Sequence, residues 1–293
     1  NPGFLPRTIN QQYHRITTGD VFSPGISIFE RDWDNLILLD ACRYDLFENN
    51  STLRGNLRSV KSRGTNTIQF LTANFSDRDL TDTVYLTGNP QFKKIEQELQ
   101  VDLHAVVNAW EDDRWDEEIG TVLPGVMTES AMQAVQDYPR KRLVIHYNQP
   151  HVPFIGDFGM EQFNLEEISA HPLPFWQQPM AGVWPCSDED IWRAYRENLL
   201  EVLPHVKRLL DSLEGKTVVT SDHGNLIGER ASPFPNVEYG HPSKLYVPEL
   251  LTVPWLEVEN GSRKEIVSEQ GDNRMEEDVS SDINDRLKAL GYQ

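Results

Sequence analysis

Three things are scarce in this sequence, and each scarcity excludes a class of function. Basic residues number 27 against 46 acidic ones, a formal net charge of −19 over 293 residues. Nucleic acid and anionic membrane are bound mainly by Lys and Arg neutralising phosphate, so a chain this acidic is no general polyanion binder. A small anionic ligand would need a metal ion or a local cationic pocket. Cysteine is the second scarcity: Cys42 and Cys186 are the only 2. They form no CxxC or zinc-finger spacing and at most one disulfide, which points to reduced thiols in a cytoplasmic protein. The third is long apolar runs. Nothing approaches the roughly 18 consecutive apolar residues of a membrane span, and the N-terminus lacks a basic-then-apolar leader.

What is present is a substantial core. Hydrophobic residues make up 38% and aromatic residues 10%, which excludes disorder throughout. The 27 basic residues are 18 Arg and 9 Lys, a bias that, with the acidic excess, hints at a salt-adapted, halophilic source. Residues 1–31 carry Pro, Gly and aromatics without periodicity and read as an irregular N-terminal arm. Asn35-Leu-Ile-Leu-Leu-Asp40 is a continuous apolar run closing on an acid, the pattern of a strand buried on both faces of a parallel sheet. The runs 83–87, 104–108, 142–146 and 217–221 follow the same logic. Helical stretches lie between them, near 67–75, 91–99, 128–137 and 188–213. Strands alternating with helices predict an α/β fold, a mostly parallel sheet sandwiched by helices.

The 188–213 helix has Ser187 as N-cap with Asp190 three residues on, and Pro204 inside it predicts a kink or break. Residues 32–257 form the catalytic domain of this reading. Residues 258–279 turn polar and acidic and read as a solvated, mobile linker. Residues 280–293 form a short C-terminal helix with Ile283, Leu287 and Leu290 on one face, docking back as a clasp.

Three segments end apolar runs with groups capable of chemistry: Asp40 in LLDACRYD, His146 and His151 in IHYNQPHVPF, and Asp222-His223 in VVTSDHG. A parallel sheet brings strand ends to one edge, so these acids and histidines converge despite their separation in sequence. Two acids with several histidines suggest a divalent-metal site. At this point the sequence resembles the alkaline phosphatase and sulfatase superfamily. The resemblance rests on the strand closing on Asp40, the SDHG block at 221–224, the PHVPF block at 150–154 and the distal YGHPSKLYVPELLTVPWL at 239–256. LLDACRYD is similar to a sulfatase-like archaeal branch. The ordered combination spans about residues 34–256.

The resemblance implies an alkaline-phosphatase-like fold and a metal-dependent hydrolase or transferase of phosphate esters. Asp40, Asp222 and His223 would hold a divalent cation (Mn, Zn, Mg or Ca), a single ion, or two if His241 completes a second site. The nucleophile is expected after the first strand near a helix N-terminus, where backbone N–H groups and the dipole favour an anion. Ser62-Arg-Gly-Thr-Asn-Thr67 fits. Thr67 leads because it adjoins the helix, Thr65 is next and Ser62 last; Thr67 would also touch the metal. It has a competing use as the helix N-cap. His151 would be general acid or a clamp on the leaving group, with His146 the second candidate. His241 would orient the transferring group. Arg43 would contact a substrate oxygen or simply pair with Asp45 or Asp40. The insertion 155–187, with Trp176 and Trp184, would overhang the site and set the choice of substrate, a small anionic ester or a glycan or lipid headgroup.

Two departures bear on this reading. Neither Cys42-Arg-Tyr nor Cys186-Ser-Asp provides the C/S-x-P-x-R context of a formylglycine sulfatase. Tyr147 and Arg142 stand four residues before His151 and His146, where two-metal relatives carry Asp, so the second site lacks its carboxylate. A sulfate-ester hydrolase without formylglycine, and a non-catalytic protein that keeps the metal as a staple while binding a glycan or partner, are the competing readings.

Overall fold

The computed structural model describes residues 4–18, 25–163, 171–184, 186–271 and 280–292. After helix α1 (Phe4–Thr18), β1 (Asn35–Leu39) leads into α2 (Tyr44–Asn50), β2 (Asn56–Lys61) and α3 (Thr67–Phe75). Then come β3 (Asp79–Thr87), α4 (Gln91–Leu99), β4 (Asp102–Asn108), α5 (Pro124–Asp137) and β5 (Arg142–Tyr147). A long helix, Asp188–Leu210, precedes β6 (Gly215–Thr220), the hairpin β7 (Leu226–Ala231) and β8 (Asn236–Gly240), and β9 (Thr252–Asn260); a last helix covers Ser280–Ala289.

Seven strands form one sheet in the order β2-β9-β6-β1-β5-β3-β4. The five strands from β6 to β4 are parallel, and β9 joins them antiparallel to both β6 and β2. All five expected apolar runs are strands of this parallel block. β1 is buried at every position, which is why it reads as an unbroken apolar run. Its side chains alternate between two cores. Ile37 and Leu39 meet α2, α5 and the long helix on one face, and Leu36 and Leu38 meet α3 and α4 on the other. Each such buried side chain stabilises the fold by about 1.5–3 kcal/mol. With β1 flanked by β5 on one side and β6 on the other, the loops after β1 and β6 leave a crevice at the C-terminal ends of the strands.

Three expectations are corrected here. The N-terminal arm is not irregular, since Phe4–Thr18 is a helix. Tertiary hydrogen bonds hold it, Asn10 to the backbone of Phe234 and His14 to the carbonyl of Ser232. The long helix runs on through Pro204, so of the expected kink or break the break is excluded. Pro204 is exposed, so the carbonyl freed one turn earlier can turn to water. Residues 258–271 are largely exposed but are not an unattached linker: β9 runs to Asn260, and the chain then crosses the N-terminal ends of the central strands. Arg263 pairs with Asp32 and Asp34, Lys264 donates to Asn35 Oδ1 at 2.6 Å, and the N–H of Val267 bonds the Arg140 carbonyl at 3.0 Å. Those two basic side chains meet acids and amides that composition alone could not pair. Residues 272–279 of the expected linker lie outside the described residues.

Candidate metal centre and active site

Asp40 directly follows β1, and the residue after it, Ala41, sits in the left-handed region at φ 59. That turn aims the Ala41 N–H at Asp222 Oδ1 (3.0 Å) and the Cys42 N–H at Ser221 Oγ (2.9 Å), stitching the β1 loop to the β6 loop. The PHVPF loop is joined to the same place: the His151 N–H donates to the Asp40 carbonyl at 3.1 Å. From the long helix, Asn198 donates to the carbonyls of His151 and Pro153, both at 3.0 Å, and accepts from the Ile155 N–H at 2.7 Å. Gly224 is required by close approach. A Cβ there would lie 2.0 Å from the Glu249 carbonyl oxygen, so only glycine lets the DHG turn settle against the segment before β9.

Thr67, Asp40, Asp222 and His223 meet in the crevice, all essentially without solvent exposure. Thr67 Oγ1 donates to Asp222 Oδ2 at 2.9 Å and lies 3.3 Å from His223 Nε2, which is itself 3.6 Å from Asp40 Oδ1. Thr67 is the first residue of α3, and Asn66 is the N-cap, its side chain accepting from the Gln69 N–H. The capping alternative for Thr67 is therefore taken by its neighbour, and the threonine hydroxyl is left for the cluster. Thr65 and Ser62 are engaged elsewhere, Thr65 with Gln69 and Lys244, Ser62 with the Asp222 carbonyl.

The histidines divide into two groups. His146 joins the acids: Asp40, His146 and Asp222 each offer an atom within 4.8 Å of the others. Its Nδ1 meets the Tyr85 hydroxyl at 2.8 Å. His151 and His241 stand beside the cluster, joined Nε2 to Nε2 at 2.8 Å. The His151 Nδ1–H is spent on the Val152 carbonyl, so its Nε2 accepts and His241 donates. His223 likewise spends Nδ1–H on the Gly224 carbonyl at 2.7 Å, which turns the bare Nε2 of its neutral form toward the acids.

Electrostatics fit a cation. Burial, then the adjacent Asp222, pushes the Asp40 carboxyl well above the usual range. Burial alone would raise Asp222 too, but the imidazoles of His223 and His146, the Ala41 N–H and the Thr67 hydroxyl hold it below. Burial lowers His146 and His151 to about 4 and His241 well below its ordinary value. Two buried atoms here have no hydrogen-bond partner, Asp40 Oδ1 and His146 Nε2. An orphaned carboxylate oxygen and an orphaned imidazole nitrogen, next to a second carboxylate, form a group that could hold a divalent ion.

Arg43 is not brought to this cluster. Its guanidinium bonds Asp45, Glu229 and the Asn225 carbonyl and lies over Trp192 at 4.6 Å, so the expectation of a substrate contact gives way to the structural pairing with Asp45. Two cluster residues escaped the sequence. Asn89 donates to Asp40 Oδ2 at 2.9 Å. It lies just past the end of β3, and the strand-end rule that found Asp40 could have found it. Tyr292 donates to the same oxygen at 2.9 Å, and its ring stacks on His151 at 9° and 4.9 Å between centroids. No local signal marks it. Outside His241 and Tyr292 lies a cavity of about 420 Å³, reached by Trp176 and Gln177 of the insertion and by Arg7, Asn66 and Lys94.

Fold and site together define a class: an alkaline-phosphatase-like α/β protein whose acids and histidines gather at the C-terminal edge of a mostly parallel sheet. Among the solved structures that it matches are one described as an alkaline phosphatase superfamily protein and one as a sulfatase. The soluble domain of lipooligosaccharide phosphoethanolamine transferase A from Neisseria meningitidis matches at 15% identity and a TM-score of 0.49, over 76% of this chain and 75% of that one. Against the full-length integral membrane form of that transferase, this chain spans 54% of the length. The C-terminal periplasmic domain of EptC from Escherichia coli, in complex with Zn, matches at 12% identity and 0.47, over 90% and 81%. An alkaline phosphatase superfamily protein from Vibrio parahaemolyticus matches at 10% and 0.44, over 98% and 75%. No protein-family profile matches the chain. No curated protein matches it either.

The cytoplasmic expectation is set aside: the matched EptC domain is periplasmic, a property of that protein. The cysteine argument behind that expectation separates disulfides from thiols and does not identify a compartment; Cys42 and Cys186 are both free. Neither the archaeal branch nor a salt-adapted source finds support in the matches. Among the described residues, no helix is long and apolar enough to cross a membrane.

Proposed function

We propose that this chain is a divalent-metal-dependent enzyme that transfers or hydrolyses a phosphate ester, with Thr67 as nucleophile. One observation carries the reading: at the start of a helix whose cap is supplied by Asn66, the Thr67 hydroxyl donates to Asp222 at 2.9 Å beside the unpartnered Asp40 Oδ1 and His146 Nε2. Asp40, Asp222, His223 and His146 would hold the ion, and nitrogen in that set favours Zn or Mn over Ca. When bound, such a cation offsets the charge of the phosphoryl group and makes a neighbouring hydroxyl more acidic.

The protein's own groups divide the remaining work. Asp222 orients the Thr67 hydroxyl through its hydrogen bond. The free N–H groups at the start of α3 favour the anionic phosphoryl oxygens. His241 lines the 420 Å³ cavity where the departing alcohol would lie, with Lys94 also on its wall; burial keeps the His241–His151 pair neutral near pH 7, so it would act as a clamp on that alcohol rather than as its acid. Acidic proteins repel anionic esters, so capture depends on this local set of cations and N–H groups.

The test is turnover of an aryl phosphate and an aryl phosphodiester by protein loaded with Zn or Mn, alongside the aryl sulfate. Phosphate turnover that falls about a thousandfold or more in Thr67→Ala supports the reading. No turnover of either phosphate ester, or full activity in Thr67→Ala, removes it. Preference for the sulfate would point to the sulfatase alternative.

A further inference from the structure

The phosphoryl reading leaves a difficulty: the proposed nucleophile cannot be reached. Thr67, Asp222 and His223 are each 0% exposed and Asp40 1%. His241 and Tyr292 separate them from the adjoining cavity, and of the two it is Tyr292 that lines the cavity while touching Asp40 and Thr67. Counting protons shows how it is seated. The Tyr292 hydroxyl hydrogen goes to Asp40 Oδ2 at 2.9 Å, and the oxygen accepts from Asn89 Nδ2 at 3.2 Å. The Thr67 hydroxyl hydrogen goes to Asp222. The 3.3 Å approach of Thr67 Oγ1 to the Tyr292 oxygen therefore has no proton of its own. A lone-pair side of the nucleophile faces a phenol oxygen, at the place where the reacting group of a substrate has to come.

The seat is built by a short device. Leu287 and Leu290 anchor the last helix in the core at 3% and 1% exposure. Gly291 then takes φ 78, with the Tyr292 N–H returning to the Leu287 carbonyl at 2.8 Å, and this left-handed turn points the tyrosine inward. A tyrosine that merely filled the core would need one partner for its hydroxyl. This one meets an acid, an amide and the nucleophile, with its ring flat on His151.

We infer that Tyr292 is an internal occupant of the substrate position: its hydroxyl stands where the phosphoryl group of the ester would stand and its ring on the side of the alcohol portion, and the cluster is reached only when the turn Leu287–Tyr292 withdraws. The inference rests on the phosphoryl reading for the word substrate, and on geometry alone for the closure. It assigns the site a class of ligand, the ester of an alcohol borne on a flat ring, with the ring on His151 and the phosphoryl group toward Asp40 and Thr67.

The test reads access rather than activity. Metal-free protein is treated with diethyl pyrocarbonate, and modification of His151 is followed by peptide mapping, with His171 and His205, which lie outside the cluster, as internal references. In the wild type His151 reacts slowly. In Tyr292→Ala its rate rises about tenfold or more, as expected for loss of a closed state, and added phenol slows it again. Tyr292→Phe, which keeps the ring, stays near the wild-type rate. Unchanged reference histidines and an unchanged circular dichroism spectrum certify the fold of each variant. In the wild type itself, phenol leaves the His151 rate unchanged, since the place is already filled; a marked slowing would overturn the inference even if the alanine variant did not fold. Equal His151 rates in wild type and Tyr292→Ala, or a raised rate that phenol does not answer, also overturn it. The two readings fail separately. Exposure of His151 without aryl phosphate turnover leaves the occupancy standing and removes the phosphoryl chemistry; equal turnover with equal His151 reactivity does the reverse.

Discussion

Replacing Asp40 by asparagine should make the metal-free protein more stable and the metal-loaded protein less so. In the absence of a cation Asp40 and Asp222 offer oxygens no more than 4.8 Å apart in a buried site. Two negative charges at that separation repel by about 3 kcal/mol at an effective dielectric near 20. The asparagine side chain would keep an acceptor oxygen for Asn89 and Tyr292, so the hydrogen bonds that Asp40 Oδ2 accepts at 2.9 Å need not be lost with the charge. The sign follows from linkage. Asp40 is raised in the folded state, so its contribution is most favourable below the unfolded carboxylate value and is lost as pH rises through the folded one. The gain from Asp40→Asn is therefore largest at alkaline pH, about 1–3 kcal/mol near pH 8, and shrinks toward pH 5 as the wild-type carboxyl takes up its proton. Zn or Mn at about a thousand times its dissociation constant should then stabilise the wild type by about 4 kcal/mol and the variant far less, reversing the order. Urea unfolding at pH 8 and pH 5, with chelator and then with cation, measures all of this. A variant that is less stable than wild type in chelator at pH 8, or that gains as much from the cation, would refute the placement of Asp40 beside a cation-binding partner.

Three further outcomes follow from the same geometry. Gly224→Ala drives a Cβ to 2.0 Å from the Glu249 carbonyl oxygen, so unfolding should come about 2–3 kcal/mol earlier and cation binding should weaken with the displaced His223; wild-type stability in denaturant would show that the turn can relax. His146 and His151 are held by burial to about 4, so between the ordinary histidine value and that one the unfolded chain binds protons the folded chain refuses. Stability then falls with falling pH, by about 2 kcal/mol per histidine at pH 5. Measured in the metal-free Asp40→Asn background, which removes the opposing carboxyl, a flat profile from pH 7 to pH 5 would contradict it. Finally, the net charge of −19 repels an anionic ester, so kcat/KM should rise by about a few-fold as salt is raised from low ionic strength to roughly 0.15 M; independence of salt would mean that the cationic groups at the site already dominate the field.

How much of this the residues announce depends on how local the physics is. β1 is legible because burial on both faces demands an unbroken apolar run, and the edge where Asp40, His146 and Asp222 gather follows from parallel strands ending together. Thr67 can be found as the first residue of a helix, but the sequence cannot assign the cap, because Asn66 and Thr67 are both capping residues and only the geometry separates them. The setting of Arg43 is hidden because its partner Glu229 is distant in sequence. The amphipathic pattern of Leu287 and Leu290 shows that the last helix docks. Where Tyr292 then lands is set by a left-handed glycine and by a partner surface contributed by β1, β3 and the PHVPF loop, none of which has any local sequence signature. Residues 258–271 illustrate the same limit: their acidity is visible, their pairing with the N-terminal ends of the strands is not.

The place of β1 in the sheet also has a consequence for how the protein is made. Its two neighbours at the cluster, β5 and β6, are translated long after it. Asp40 therefore waits through most of synthesis for Asp222, and Tyr292 arrives later still. Chain order places every acid and histidine of the cluster ahead of the tyrosine that covers them, so any interval between assembly of the cluster and docking of the last turn leaves it uncovered. A cation present in that interval meets an open cluster; one added to finished protein meets a closed turn. Whether the ion is supplied before or after folding becomes a variable in its own right, and protein refolded with cation and protein loaded afterwards are two different preparations.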